Sequence, residues 1–414
     1  MMAKIRCRFE EEKVVHMSLH GKYTKAQRVH HRLLRVLFAL LLFCYFYFFQ
    51  SPLLILAQHQ LSEGRTAYHP LWGALLLTSL LVLLQGAVCR LFRPMPRHYL
   101  SSAVPSVVCA ILLTAFTPVA SVSAFVVAGI LLLGFLVLSP FLRLAGGSAG
   151  DRRGDTGDIT AHIAWFLLIS VALGWGSHSN DVVTYEVKTA QSLVHHEPLK
   201  ALRVGHGSLA TSPRLTALRA YALASMPCSG TAGTRLPELL FSFPLPSDAS
   251  SAMLLYDAAD AAACTLPVSE YHALMGSAAR AGEAPLSYFE RAFSQARLRG
   301  DSIRRAVCLD YWLCGLLLDR DLETFARTYH SYVLPSDTLA PPRYYREALY
   351  LYARRHSRPC IGYHSAEIEA NFEDFRREER LHTDLQRRAA HLRLLYGDTY
   401  WWYYFYGSKH AGRD

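Results

Sequence analysis

Apolar residues are distributed along this chain in two different ways, and the pattern changes near Asn180. Between Val36 and Asn180 lie four stretches without Asp, Glu, Lys or Arg, whereas charged residues recur frequently from Asp181 to the end. A membrane-crossing helix needs about 20 apolar residues to cover a hydrocarbon core of about 30 Å. Three of the gaps, Val36–Ser62, Thr66–Cys89 and Ile159–Asn180, each hold one crossing, placed at residues 33–57, 71–88 and 161–176. The fourth, His98–Leu142, is about twice as long as one span requires. Thr117-Pro118-Val119-Ala120-Ser121 lies near its middle and reads as a turn, which predicts two helices, 102–116 and 122–138. The expected architecture is all-α: a cytoplasmic basic segment (1–32), a five-span transmembrane bundle (33–177) and an extramembrane helical domain (178–414).

Beyond the bundle, apolar residues recur at spacings of three and four in short blocks punctuated by Pro or Gly. These blocks are Tyr185–His195, Pro198–Gly207, Pro213–Ala224, Leu286–Leu298, Ser302–Leu318, Asp321–Val333 and Tyr344–Arg355. Helices of this length joined by tight turns predict antiparallel hairpins. In Ser302–Val333 one helix offers Leu309, Trp312, Leu313 and Leu316, and the other offers Leu322, Phe325, Ala326, Tyr329 and Val333. Asp319-Arg320-Asp321 forms the turn and Pro335 follows. This unit resembles a tetratricopeptide hairpin, although Phe325 and Tyr332 occupy positions where that repeat favours small residues and no 34-residue period runs through the domain. Cys228–Ala252, rich in Gly, Pro and Ser, is expected to be an irregular excursion.

Charge fixes the expected orientation. Arg28, Arg32 and Arg35 precede the first span, Arg90, Arg93 and Arg97 follow the second, and Arg143, Arg152 and Arg153 follow the fourth. The intervening loops carry little: Glu63 and Arg65 in one, nothing in the other. By the positive-inside rule the N-terminus is cytoplasmic and the domain after Gly176 is extracytoplasmic. The net charge of +10 does not indicate nucleic-acid binding. Of 43 basic and 33 acidic residues, 16 and 7 fall within residues 1–177, leaving 27 and 26 in a nearly neutral remainder. The basic excess belongs to membrane orientation and to anionic headgroups of the lipid bilayer. The first span is too long for a secretory signal and is followed by others, so it is expected to remain uncleaved. The polar stretch before Met17 leaves open whether translation starts at Met1 or Met17.

Beyond Arg35 at the entry to the first, the predicted spans carry no Asp, Glu, Lys or Arg of the kind that pumps and ion-coupled transporters place in a bundle. Gln50, Gln85 and His162 are read as interhelical hydrogen-bonding or interface residues. Tyr45–Phe49, Trp72 and Trp175 are read as interfacial anchors.

Three segments carry a likeness to known sequences: Cys44–Ser62 (CYFYFFQSPLLILAQHQLS), Tyr344-Tyr345-Arg346-Glu347-Ala348-Leu349 and Thr399-Tyr400-Trp401-Trp402-Tyr403-Tyr404. With them the chain, from about Leu33 to Tyr406, resembles an uncharacterised family of multi-pass bacterial inner-membrane proteins. The resemblance implies architecture alone, a membrane bundle followed by a helical domain, and carries no activity.

Catalytic signatures are missing. The sequence has no Gly-x-Ser-x-Gly, no phosphate loop ending in Gly-Lys-Ser/Thr, no His-Glu-x-x-His and no Gly-x-Gly-x-x-Gly after a strand. The glycine-rich run Gly146–Asp158 lacks a lysine and reads as a loop. His195-His196-Glu197 cannot converge on a metal, because neighbours on a helix point in different directions, and it reads as a solvated helix end. Cys228, Cys264, Cys308, Cys314 and Cys360 contain no Cys-x-x-Cys and read mostly as small core residues. No cofactor or metal is expected.

Two groups remain as candidate sites. One is the outer-loop polar cluster His59, Glu63 and Arg65. The other is the aromatic run Tyr400, Trp401, Trp402, Tyr403, Tyr404, Phe405 and Tyr406, which either closes the domain core or forms a docking face for a partner or the outer leaflet. The expected function is a non-enzymatic, membrane-anchored scaffold that presents helical hairpins to an extracytoplasmic protein or peptide. The alternative is a membrane enzyme or transporter subunit acting on lipid or glycan, with the polar cluster at its site.

Overall fold

The computed structural model describes residues 25–92, 96–115, 126–135, 137, 155–176, 181–227, 233–333 and 341–407. Among these residues every regular element is helical, and the β pairing is limited to an isolated bridge between Pro227 and Thr234. The chain divides into two compact units, residues 1–58 with 65–180, and residues 59–64 with 181–414.

In the first unit, α1 (Lys25–Cys44) runs into a π-helical turn, Tyr45–Phe49, and then α2 (Ser51–Leu61). Next come α3 (Pro70–Phe92), a 3-10 helix (Pro96–Ala103), α4 (Val104–Ala115), α5 (Val126–Phe135) and α6 (Asp155–Gly176). Prolines at the first or second position of α2, α3 and α4 suit helix starts, where no intrahelical N–H partner is required. The π turn closes with the Gln50 N–H on the Tyr45 carbonyl at 3.0 Å. Its wide geometry turns Tyr45 and Phe46 inward and leaves Phe48 and Phe49 exposed.

Three helical stretches are long and apolar enough to cross a membrane: Val29–Phe49, Pro70–Leu91 and Ile159–Gly176. The expectation of five spans is therefore corrected to three among the described residues. The predicted helix at 102–116 has only 12 α-helical residues, entered through the 3-10 segment. At ~1.5 Å per residue that is about 18 Å, short of a hydrocarbon core. Its apolar sequence has another cause, since Val104, Val107, Val108, Ala110 and Ile111 are all buried against neighbouring helices. The described part of the helix predicted at 122–138 is Val126–Phe135, also short, and the turn predicted at Thr117–Ser121 lies outside the described residues. The three long helices have an outward apolar face: Trp72, Leu76, Leu80 and Leu83 on α3, and Ile163, Leu167 and Trp175 on α6, are exposed. Such a surface is stable against lipid rather than water.

Gln50 and Gln85 depart from their expected roles. Both are buried, and neither amide has a hydrogen-bond partner among the described residues. His162 is buried with its ring stacked on His30 at 5.0 Å.

The second unit contains α7 (Asp181–Val194), α8 (Pro198–Arg203), α9 (Pro213–Ala224), α10 (Leu236–Leu239), α11 (Ala258–Ala263), α12 (Val268–Met275) and α13 (Pro285–Leu298). It continues with α14 (Ser302–Leu318), α15 (Leu322–Tyr332), α16 (Arg343–Arg355), α17 (Ala366–Leu381), α18 (Leu385–Tyr396) and α19 (Tyr400–Tyr406). Two successive hairpin turns are built alike. At Arg299-Gly300-Asp301 the Asp301 N–H returns to the Ala296 carbonyl, and at Asp319-Arg320-Asp321 the Asp321 N–H returns to Leu316. In each, a left-handed residue ends one helix, Gly300 at φ 70° and Arg320 at φ 61°. The aspartate that follows caps the next helix, Asp301 accepting from the Arg304 N–H and Asp321 from the Thr324 N–H. The same C-terminal turn ends α7, with His196 at φ 56°, and His195-His196-Glu197 is exposed.

The predicted stripe of Ser302–Val333 faces inward: Trp312, Leu313, Leu316, Leu322, Phe325, Ala326 and Tyr329 are buried, with Leu309 and Val333 at the edge. α13 packs closely along α14 beside Gly315, where an added Cβ would lie 2.9 Å from Leu286. Cys264, Cys308 and Cys314 are buried free thiols, Cys360 is exposed, and Cys228 lies outside the described residues.

The aromatic helix α19 joins one core cluster with α9, α14 and α16. Tyr400, Trp401 and Tyr403 are buried, and the Phe241 ring lies within 5.0–5.2 Å of Tyr344 and Tyr400 and 4.9 Å of Tyr403. Losing a buried large aromatic costs about 3–5 kcal/mol, so three together rival the whole stability of a typical domain, about 5–15 kcal/mol. Truncation after Gly397 is expected to abolish cooperative unfolding and near-UV ellipticity of the full chain in detergent. A truncated protein that melts like the parent would refute this role for α19.

Candidate functional site

The second unit carries an open groove of about 1360 Å³. One side is the segment Phe241–Asp248 (FSFPLPSD), with Val182, Leu209, Ala210 and Thr211 beside it. The other is formed by α18 through Ala389, Ala390, Arg393 and Leu394, and by Trp402, Tyr403, Tyr406 and Gly407 at the end of the chain. The prolines at 244 and 246 withhold backbone N–H donors and keep this wall extended. Leu209 and Leu394 are exposed at 67% and 86%, which leaves apolar surface uncovered along the groove. The Arg393 guanidinium sits 5.6 Å from the centre of the Trp402 ring.

The predicted docking residues separate into two sets. Tyr400, Trp401 and Tyr403 are inside the core, while Trp402, Tyr404, Phe405 and Tyr406 are half-buried at its margin. Trp402 and Tyr406 line the groove. Tyr404 meets the Arg355 guanidinium through its hydroxyl, and Arg376 lies 5.4 Å from the centre of the Phe405 ring.

Polar contacts position α19. The Glu347 carboxylate, 2% exposed, accepts the Tyr400 backbone N–H at 2.6 Å and Arg343 Nε at 3.0 Å. Arg343 also reaches Asp398 at 3.0 Å. The Tyr400 hydroxyl donates to the Leu317 carbonyl at 3.1 Å, and the Tyr403 hydroxyl to Leu318 at 2.7 Å. Both acceptors lie in the last turn of α14, where carbonyls lack i+4 partners, and the Leu317 carbonyl also accepts the Arg320 N–H at 3.1 Å. Arg320 Nη2 donates to the Tyr403 carbonyl at 3.1 Å. A second buried carboxylate, Asp310, accepts the Thr234 N–H and hydroxyl at 2.7 and 2.8 Å and the Tyr345 hydroxyl at 3.1 Å.

The outer-loop residues lie at the end of α2. His59, Gln60 and Leu61 end α2, and the chain turns through Glu63 at φ 52° with the Gly64 N–H on the His59 carbonyl at 2.8 Å. This is a helix C-terminal motif with Glu63 in the position that favours glycine. Glu63 and Arg65 are exposed, and the division between the two units falls between Gly64 and Arg65. Among the described residues no group of three His, Cys, Asp or Glu side chains is placed to hold a metal.

Comparison with known proteins bears on the end of the chain. Residues 300–407 match a family of unknown function (DUF6057). The matched segment runs from the turn before α14 to the end of α19, and so includes Glu347, Arg343, Asp398 and the aromatic helix. The opposite wall of the groove, 182–248, lies outside it. No curated protein and no solved structure matches the chain.

Sequence reasoning missed the groove because its walls come from segments some 150 residues apart, and missed Glu347 because a lone glutamate on a helix gives no signal of its burial. Burial pushes the Glu347 carboxyl from its ordinary 4.5 up to about 7, against the opposing pull of the Tyr400 N–H and of Arg343. Burial pulls Arg343 the other way, but Glu347 and Asp398 outweigh it and hold that guanidinium charged. A carboxyl whose folded value is raised stabilises the fold below its unfolded value, and that contribution is lost as pH rises through the folded one. The full chain is therefore expected to lose stability between about pH 4.5 and 7, by an amount of order 3 kcal/mol from this group. Glu347→Gln should flatten that dependence and be at least as stable as the parent at pH 8, read from denaturant midpoints. An unchanged pH profile would exclude Glu347 as its source.

Proposed function

We propose that this protein is a membrane-anchored interaction module, whose helical domain offers the groove between Phe241–Asp248 and α18–α19 to an apolar peptide segment outside the cytoplasm. The observation that carries the reading is the groove itself, with extended proline-containing backbone on one side and Trp402 and Tyr406 on the other. Aromatic side chains of this kind supply large contact area at low entropic cost, and extended partners bind well in such clefts. The hairpins of α13, α14 and α15 support the tetratricopeptide-like part of the reading, since their two turns repeat the same cap.

The orientation is supported by counting. Three crossings among the described residues and five read from the sequence are both odd, and with either number Arg32 and Arg35, at the start of the first span, and Arg90, at the end of the second, lie at the membrane face on the side of the N-terminus. The helical domain is then extracytoplasmic, which in a bacterium with two membranes means a periplasmic domain of an inner-membrane protein. The competing reading as an enzyme or transporter subunit gains nothing from Glu63 and Arg65, which are exposed on a turn.

Two measurements test this. In spheroplasts a membrane-impermeant maleimide should label the exposed thiol of Cys360, with the added signal lost in Cys360→Ser. Labelling that requires lysis would reverse the orientation. A photo-crosslinking amino acid at Tyr406 should capture a discrete adduct in intact cells, weakened by Trp402→Ala, whereas the same group at Leu298, 88% exposed on α13, should not. Equal capture at both positions, or none at Tyr406, would sink the docking reading.

A further inference from the structure

Helix α9 is buried along nearly its whole length: Leu215, Thr216, Ala217, Leu218, Ala220, Tyr221, Ala222, Leu223 and Ala224 are all inside the core. Arg219 is the charged residue in that run, and it is only 2% exposed. Its Nη2 donates to the Val204 carbonyl at a long 3.4 Å, and its guanidinium carbon lies 5.0 Å from the centre of the Phe243 ring. Nε and Nη1 have no hydrogen-bond partner.

A buried cation is ordinarily paired, because removing it from water costs several kcal/mol that an opposite charge must offset. Three acids of the second unit are engaged elsewhere. Glu186 and Asp260 pair with Arg214, five residues earlier on the same helix, at 3.4 and 3.3 Å. Asp310 is taken by Thr234 and Tyr345. Among the described residues no carboxylate lies within ion-pairing distance of Arg219. Burial accordingly draws its guanidinium down to about 10, with a small opposing influence from Tyr185.

Phe243 connects this cation to the groove. It stacks on Arg219 and also lines the groove wall, in company with Thr211, whose buried hydroxyl likewise has no partner. Arg219 is not itself a lining residue, so its unpaired guanidinium lies behind this wall, against the Phe243 ring. Resting on the docking reading above, we propose that Arg219 is the anion-recognising residue of the groove, and that the apolar peptide it receives carries a carboxylate which reaches the guanidinium beside Phe243. Arg393, the guanidinium that lines the groove, lies over Trp402 on the opposite wall, so the Phe243 side presents one cation, which matches a singly charged carboxylate rather than a doubly charged phosphate ester.

The test uses the full chain in lipid nanodiscs and three probes: acetyl-Leu-Phe with a free C-terminal carboxylate, its C-terminal amide, and acetyl-Asp-Phe-amide, which carries the carboxylate on a side chain. At least one acid should raise the unfolding midpoint by several degrees while acetyl-Leu-Phe-amide does not, and the acid that acts identifies the source of the carboxylate. Arg219→Met should unfold at or above the parent's midpoint without probe, and should no longer respond to the acid. Should the methionine variant fail to fold, Arg219→Lys keeps the charge and should retain a weaker preference for acid over amide. No response to either acid, or an equal response in parent and variant, overturns the proposal. If the acid response depends on Arg219 while Tyr406 captures nothing in cells, the docking reading falls and the anion site stands. Capture at Tyr406 with no acid response has the opposite meaning.

Discussion

The second unit depends on one interaction, the seating of α19 against the C-terminal turn of α14 and the middle of α16. Burial of Tyr400, Trp401 and Tyr403 supplies the apolar term, but hydrogen bonds fix the place. The hydroxyls of Tyr400 and Tyr403 end on the carbonyls of Leu317 and Leu318, and the first N–H of α19 ends on Glu347. Leu317 also accepts the Arg320 N–H, but the Leu318 carbonyl and the Tyr400 N–H are helix-end groups that would cost about 1–3 kcal/mol each if buried without partners. The last helix therefore finishes α14 electrically as well as covering it. Because Trp402 and Tyr406 follow on the same short helix, the contacts that close the core also set one wall of the groove.

How much of this could be read from the sequence follows from how local each feature is. Helix positions with a periodic apolar stripe and a clear punctuating residue were legible: Pro213–Ala224 and Ser302–Leu318 have the predicted limits, and Asp319-Arg320-Asp321 is the predicted turn. α17 and α18 were not, because Ile368, Phe372 and Phe375 are the buried residues of α17 and the rest of that helix is mostly charged. The aromatic run announced its burial but not its division, since seven rings in succession hide which ones face inward until a helix phase is known. Glu347 and Arg219 look like ordinary surface residues in a sequence, and only long-range packing makes them buried ions.

The membrane unit shows the limit of hydropathy in a different way. An apolar segment reports that a helix avoids water, and it does not say whether lipid or protein replaces that water. α4 is apolar because it is enclosed by other helices, with Val107, Val108 and Ile111 packed into the bundle, whereas α3 and α6 are apolar because their outer faces meet no protein. Length separates the two cases, since 12 α-helical residues suffice for an interior helix and fall short of a bilayer.

The buried ions of the second unit can be ranked by what surrounds them. Asp310 receives three donors and Glu347 two, one of them from Arg343, so each is held by groups the fold itself provides. Arg219 receives one long contact to a carbonyl and an aromatic face, and no charge to balance its own. A cation–π contact is worth about 2 kcal/mol even when desolvated, less than the cost of burying the ion. An apolar residue of similar length would fill the same space on α9 without that cost. The fold alone therefore does not account for an arginine at this position, and the balance points outward, to whatever enters the groove past Phe243.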